Sequence, residues 1–177
     1  MKIEKTITGY LDENCYVVSK DNDCLIVDPG DDVDKIKELV GNRKVLGILI
    51  THYHFDHVGA LDEAVKKYNA PVIDYKNDKI QNINNFNFEI IPMPGHKEDL
   101  VIFYFKDENI MFTGDFLFKK SIGRCDLDGG NYNEMLKSIE KIKKYNRDIT
   151  IYPGHGEAST LGYEFDNNVY LRGEYDE

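Results

Sequence analysis

This 177-residue chain has no tryptophan, three cysteines and five prolines, and its 22 Lys and Arg are outnumbered by 32 Asp and Glu. Each shortage excludes something. Cys15, Cys24 and Cys125 are odd in number and show no CxxC or other zinc-finger spacing, so neither a disulfide framework nor a thiolate metal site is expected. They read as small hydrophobes, with Cys125 alone in a polar loop. A net charge of −10 speaks against a nucleic-acid partner, because that affinity comes from Lys and Arg displacing counterions from phosphates. The longest apolar runs, such as Ile48-Leu49-Ile50 and Val101-Ile102-Phe103-Tyr104-Phe105, fall far short of the roughly 20 residues that span a bilayer, so no membrane partner is expected. The opening Met1-Lys2-Ile3-Glu4-Lys5-Thr6 has neither the apolar stretch nor the small-residue cleavage site of a signal peptide, which makes the cytoplasm the expected compartment. With 41% hydrophobic residues and a length typical of one unit, the composition predicts a single soluble domain over residues 1–177.

The polar and apolar pattern predicts strands in groups with single helices between them. Strand-like stretches are Lys2 to Thr8, Asn14 to Ser19, Cys24 to Val27, Val45 to Ile50, Pro71 to Asp74, Phe86 to Ile91, Leu100 to Phe105, Asn109 to Thr113 and Ile149 to Tyr152. Helical spacing covers Val33 to Val40, His57 to Tyr68, Asn131 to Tyr145 and Gly162 to Tyr170, and the second of these stops ahead of Pro71. Such grouping suits a layered α/β protein better than a strictly alternating sheet. The acidic end, Glu174-Tyr175-Asp176-Glu177, reads as a solvated tail.

Against these shortages stand five histidines, and none is scattered. Thr51-His52-Tyr53-His54-Phe55-Asp56-His57 spells H-x-H-x-D-H directly after an apolar strand, where ligands tend to sit. Pro94-Gly95-His96 and Pro153-Gly154-His155-Gly156 each follow another strand, and Phe112-Thr113-Gly114-Asp115 adds a carboxylate at a third strand end. Neutral imidazole and carboxylate both bind zinc and similar first-row ions. His52 and His54 can point one way while Asp56 and His57 point another, so one motif can serve two metal positions.

These motifs, together with Asn14-Cys15-Tyr16, Asp28-Pro29-Gly30, Ser121-Ile122-Gly123-Arg124 and Tyr170-Leu171-Arg172-Gly173, resemble the metallo-β-lactamase fold superfamily, and within it the glyoxalase II group of hydrolases. The resemblance implies a four-layer αββα sandwich of two mixed sheets with the site at one rim. It also implies two divalent ions, zinc first and iron or manganese as alternatives. His52, His54 and His96 would hold one ion, Asp56, His57 and His155 the other, and Asp115 would bridge them, while Asp28 would orient a ligand from behind. A bridging hydroxide would then cleave a small thioester of the S-lactoylglutathione kind or a related acyl substrate, with Asp56 and Asp115 as the catalytic carboxylates. No G-x-S-x-G elbow competes for that role. Asp115, where some zinc β-lactamases carry Cys, points away from antibiotic hydrolysis.

Departures from the family pattern are local. Family members commonly continue P-G-H with T-x-G, whereas here Lys97-Glu98-Asp99 follows His96, which questions the support around that ring. Phe116, where Thr is common, reads as pocket wall or packing. Full glyoxalase II enzymes add a C-terminal helical domain that contacts glutathione, and nothing in the chain resembles it, so the thiol carrier stays open, as does the oligomeric state. Arg124 has two readings: a contact to a substrate carboxylate, which a planar guanidinium suits, or a salt bridge inside its own loop. Asp126-Leu127-Asp128-Gly129-Gly130 reads as a turn because it lacks calcium-loop spacing. The rival functions are a mononuclear-iron persulfide dioxygenase, a phosphodiesterase, a lactonase, and a metal-containing scaffold without catalysis.

Overall fold

A computed structural model describes residues 1–174, so residues 175–177 of the expected acidic tail lie outside the described residues. In chain order the elements are β1 (Lys2–Thr8), β2 (Glu13–Lys20), β3 (Asp23–Val27), α1 (Val33–Val40), β4 (Lys44–Leu49), α2 (Phe55–Val58), α3 (Leu61–Tyr68), β5 (Val72–Ile73), β6 (Ile80–Ile83), β7 (Phe86–Pro92), β8 (Val101–Phe105), β9 (Ile110–Gly114), β10 (Leu117–Phe118), β11 (Ser121–Ile122), α4 (Tyr132–Ile142), β12 (Thr150–Pro153), β13 (Ser159–Thr160), α5 (Leu161–Asn167) and α6 (Val169–Arg172). One sheet has the order β1-β2-β3-β4-β5 and a second the order β13-β12-β9-β8-β7-β6. Both are mixed: β3, β4 and β5 run parallel after two antiparallel pairs, and β12 runs parallel to β9 in an otherwise antiparallel sheet.

Side chains alternate across each strand, and in the central strands both faces are buried. Tyr16, Val18, Leu25 and Val27 of the first sheet meet Phe88, Ile90, Phe103, Phe105 and Phe112 of the second in one core between the sheets. Their neighbours Cys15, Val17, Cys24 and Ile26 face outward against Ile36 and Val40 of α1 and Ala64 of α3. On the far side Ile102, Met111 and Ile151 pack on Met135, Ile139 and Ile142 of α4. Helix, sheet, sheet and helix therefore stack as the expected αββα sandwich. Among the described residues no helix is long and apolar enough to cross a membrane.

Two expected helices are each divided. The stretch from His57 to Tyr68 is α2 followed by α3, with the break at Gly59-Ala60. A Cβ on Gly59 would lie 2.3 Å from the Gly30 carbonyl oxygen, so the break follows from packing α2 against the Asp28-Pro29-Gly30 turn. That contact carries Asp56 and His57 to the site. The stretch from Gly162 to Tyr170 divides at Asn168, which is extended and whose side chain caps α6 by accepting from the Tyr170 amide. Strand β6, the β10–β11 hairpin and β13 are short and partly exposed, and hydrophobic alternation did not mark them.

Candidate metal centre

Strands β7 and β9 both pair antiparallel with β8, and β12 is parallel to β9, so the carboxyl ends of all three lie at one rim of the second sheet. His96, Asp115 and His155 follow those ends. The first sheet contributes Asp28 just past β3 and the stretch from Thr51 to His54 just past β4, whose parallel pairing brings them together. Helix α2 then turns Asp56 and His57 inward. All five histidines and both predicted carboxylates meet at this rim.

The hydrogen-bond network assigns the tautomers. Thr51 Oγ1 donates to Asp28 Oδ2 at 2.6 Å, so the 3.1 Å contact between His52 Nδ1 and the same hydroxyl takes its proton from the ring. His57 Nδ1 lies 3.0 Å from Asp28 Oδ2, His96 Nδ1 2.7 Å from the Arg124 carbonyl and His155 Nδ1 3.0 Å from the Leu11 carbonyl. Each of these partners only accepts, so each of these rings keeps a proton on Nδ1 and aims Nε2 into the site. His54 Nδ1 sits 3.1 Å from His52 Nε2 and 2.8 Å from His96 Nε2. Three imidazole nitrogens converging this closely, two of them on rings whose Nδ1 proton is committed elsewhere, are a cation's donor set, since zinc holds each such nitrogen at about 2.0–2.1 Å.

A second cluster adjoins the first. His155 Nε2 is 3.2 Å from Asp56 Oδ2, and His57 Nε2 is 3.9 Å from the same oxygen. Asp115 lies between the clusters, with Oδ1 3.3 Å from His57 Nε2 and Oδ2 3.6 Å from both His96 Nε2 and His155 Nε2. His57 Nε2 and Asp115 Oδ1 are buried and hydrogen-bonded to nothing, close as they are. Orphaned polar atoms of this kind are costly, and a shared cation would satisfy both. The electrostatics divide the rings. Burial opposes charge on His57 and His155, but Asp115 and Asp28 beside the first and Asp56 and Asp115 beside the second outweigh it and raise both, and a bound cation would displace those protons, while His52, His54 and His96 are lowered. Burial and then the neighbouring imidazoles hold His52 well below the usual histidine value, and burial followed by His96 takes His54 down to about 4, so both stay neutral and ligand-ready near pH 7. Burial works against the charge of Asp56 and Asp115, but the imidazoles around them reverse it, and both carboxyls fall below their ordinary value.

The framework behind the ligands is less visible in the sequence. Asp28 accepts from the Thr51 amide at 2.7 Å as well as from the Thr51 hydroxyl, so one carboxylate steadies both His52 and His57. Asn14 clamps the loop that carries His155: its amide donates to the Gly154 carbonyl at 2.7 Å, and its side chain to the carbonyls of Pro153 and Gly156, each at 3.0 Å. Tyr16 adds a 2.7 Å bond to the Pro153 carbonyl. A Cβ at Gly154 would meet Asp115 Oδ1 at 2.3 Å and His57 Cε1 at 2.5 Å, which is why glycine precedes this histidine. Asn14 and Tyr16 stood in a motif without an assigned role, and the Leu11 and Arg124 carbonyls are backbone groups that no residue type announces. The Arg124 carbonyl answers the question raised by Lys97-Glu98-Asp99, since it fixes His96 from another loop. Fully buried Glu13 was also missed; burial pushes its carboxyl up to about 9, and Thr8 donates to it at 2.7 Å.

Above the ligands opens a cavity of about 400 Å³, floored by His54, Asp56, His96, Asp115 and His155 and walled by Leu11, Phe55, Phe118 and Leu127. Arg124 lies at its edge, with its guanidinium bound in a fork to Asp126 at 2.6 and 2.7 Å. Phe116 is packing rather than wall, being fully buried beneath α4.

The family model of the metallo-beta-lactamase superfamily matches residues 8–83 and 76–155. The probable metallo-hydrolase YqgX of Bacillus subtilis is 34% identical, with 98% of this chain and 99% of that protein aligned. The hydroxyacylglutathione hydrolase GloC of Haemophilus influenzae is 32% identical over 97% of this chain and 98% of its own length. Among solved structures, the BLEG-1 B3 metallo-beta-lactamase superimposes with a TM-score of 0.92 at 30% identity, covering 96% of this chain and 99% of that one. Fold, ligand geometry and alignment agree, and the chain belongs to the metallo-beta-lactamase superfamily.

Proposed function

We propose that the protein is a dinuclear metallo-hydrolase that cleaves a small thioester, the bond that hydroxyacylglutathione hydrolases cleave, with the thiol carrier left open. His52, His54 and His96 would hold one divalent ion, Asp56, His57 and His155 the other, and Asp115 both. The carrying observation is the pair of adjoining donor clusters with outward-protonated rings and a carboxylate between them. Zinc is the first choice and iron or manganese the alternatives, since all accept imidazole and carboxylate. When bound, two such cations acidify water into a nucleophile near neutral pH and polarise a carbonyl. Asp28, Thr51 and the Leu11 and Arg124 carbonyls hold the rings in register for this. Asp56, half-buried on the cavity floor, takes up the proton released as the acyl carbon is attacked. A thiolate leaves without a strong general acid, so a site built of bases and ligands suits a thioester. The similarity to a hydroxyacylglutathione hydrolase along nearly its whole length supports this class, and the cytoplasm is the proposed setting.

A second reading, β-lactam hydrolysis, is raised by the similarity to the BLEG-1 lactamase structure and opposed by Asp115, which stands where some zinc β-lactamases carry Cys. The two are separated by assaying the metal-loaded protein on S-lactoylglutathione, other thioesters, lactones and a cephalosporin, with His54→Ala as control. Thioester turnover that the control abolishes is expected. Turnover of the cephalosporin alone supports the second reading, and activity unchanged in His54→Ala removes metal chemistry from both. Asp56→Asn separates proton uptake from metal holding: turnover is expected to fall much further than metal content, and equal losses would reject the separate role.

A further inference from the structure

Beside the cavity over the metal clusters lies a smaller one of about 250 Å³ lined by Gly9, Tyr10, Leu11, Gly30, Asp31, Phe55, Asp56 and Gly59. The two share Leu11, Phe55 and Asp56, so they form one trough leading outward from the reacting position. Along it stand Tyr10, 80% exposed, and Phe55, 60% exposed, stacked with ring centroids 6.0 Å apart and 20° between planes. Neither ring fills the core, and side chains this large left in water at a site mouth mark a surface for apolar contact. Leu11 fixes where this surface sits, because its carbonyl holds His155 Nδ1 at 3.0 Å and its side chain lies in both cavities.

Away from the proposed cations, the side-chain charge left unpaired along the trough is negative. Among the described residues no lysine lines either cavity, and the one guanidinium there, that of Arg124, is taken up by Asp126. Asp31 lines the outer cavity. An arm bearing carboxylates would lie against an acidic wall with its natural partner occupied, whereas an apolar neutral arm would cover Tyr10, Phe55 and Leu11.

We propose that the non-reacting arm of the substrate is apolar and carries no negative charge, that it lies on Leu11, Phe55 and Tyr10, and that Asp126 withholds Arg124 from anion binding. The substrate class is then a neutral aryl- or alkyl-thiol ester rather than a peptide-thiol ester bearing carboxylates; this narrows the thioester reading and rests on it.

The test uses two non-hydrolysable ketone analogues, in which a methylene separates carbonyl and sulfur, one built on benzyl mercaptan and one on glutathione. Their binding to the metal-loaded protein is measured by titration calorimetry. The benzyl analogue is expected to bind about tenfold tighter, and Tyr10→Ala and Phe55→Ala each to weaken it about fivefold while moving the glutathione analogue less than about twofold. Asp126→Asn is expected to strengthen the glutathione analogue about fivefold and leave the benzyl one unchanged. Tighter binding of the glutathione analogue to the wild type, or alanine variants that bind the benzyl analogue as the wild type does, would overturn the proposal. The matching thioesters, assayed on the same samples, tell the two failures apart: analogues that bind as expected with neither ester cleaved would remove the hydrolase reading and leave the arm assignment standing.

Discussion

The floor and the mouth of the trough are built on opposite principles. At and beneath the floor His52, His57 and His96 are buried, and each keeps its outer nitrogen on a fixed partner: Thr51, Asp28 or the Arg124 carbonyl. At the mouth Tyr10, Leu11, Phe55 and Leu127 are exposed, and the Arg124–Asp126 pair stands in solvent. Position on the floor is over-determined, as ligands to a cation must be, because a nitrogen displaced by half an ångström no longer coordinates. The mouth needs only area and charge, so its residues bear on which molecule enters rather than on what happens to it.

The sharpest way to break this comparison is to remove a donor. His54→Ala is expected to lower turnover roughly a thousandfold or more, the scale of losing a principal electrostatic element, and to lower metal content with it. Next comes the support. Asp28→Ala leaves every proposed ligand in place but frees His57 and Thr51, and a loss of about 10- to 100-fold in activity or metal affinity is expected from competition with a chelator. Asn14→Ala touches no ligand; it strips bonds from the carbonyls of Pro153 and Gly156. A cost of about 1–3 kcal/mol follows, read as a drop in the denaturation midpoint.

Glu13 tests the floor through pH. Burial lifts its carboxyl from an ordinary 4.5 to about 9, so between those values the folded chain keeps a proton that the unfolded chain has released. Stability from this source is complete below 4.5 and is lost as pH rises toward about 9. Glu13→Gln removes the exchange. Urea midpoints of metal-free wild type and variant should therefore separate, in the variant's favour, between about pH 5.5 and about pH 8. The smallest effect belongs to the mouth: Phe55→Ala is expected to change stability by less than about 0.5 kcal/mol, with any kinetic change confined to KM. A large loss of kcat there would erase the distinction between floor and mouth.

The two regions also differed in how far the sequence revealed them. Every histidine of the floor stood in a spaced motif at a strand end, because coordination demands particular atoms and only a few side chains supply them. The core strands and α1 and α4 were legible because their apolar pattern is strong, whereas short, half-exposed β6, β10, β11 and β13 carry none. Helices α2 and α3 merged in that reading because periodicity ignores the close approach of Gly59 to Gly30. The carbonyls of Leu11 and Arg124 could not be read at all, since any residue offers one, and only the folded chain brings it to a ring. Arg124 kept two readings for a similar reason: its partner Asp126 is two residues away, and spacing alone does not choose between a neighbour and a ligand.

The most direct test of the central claim is metal stoichiometry read together with activity, on protein purified without added metal and then stripped and reloaded stepwise. The account predicts about two divalent ions per chain, with thioester turnover returning in full only as the second is restored. Full activity at one iron per chain, accompanied by thiol-dependent uptake of O₂, would contradict it.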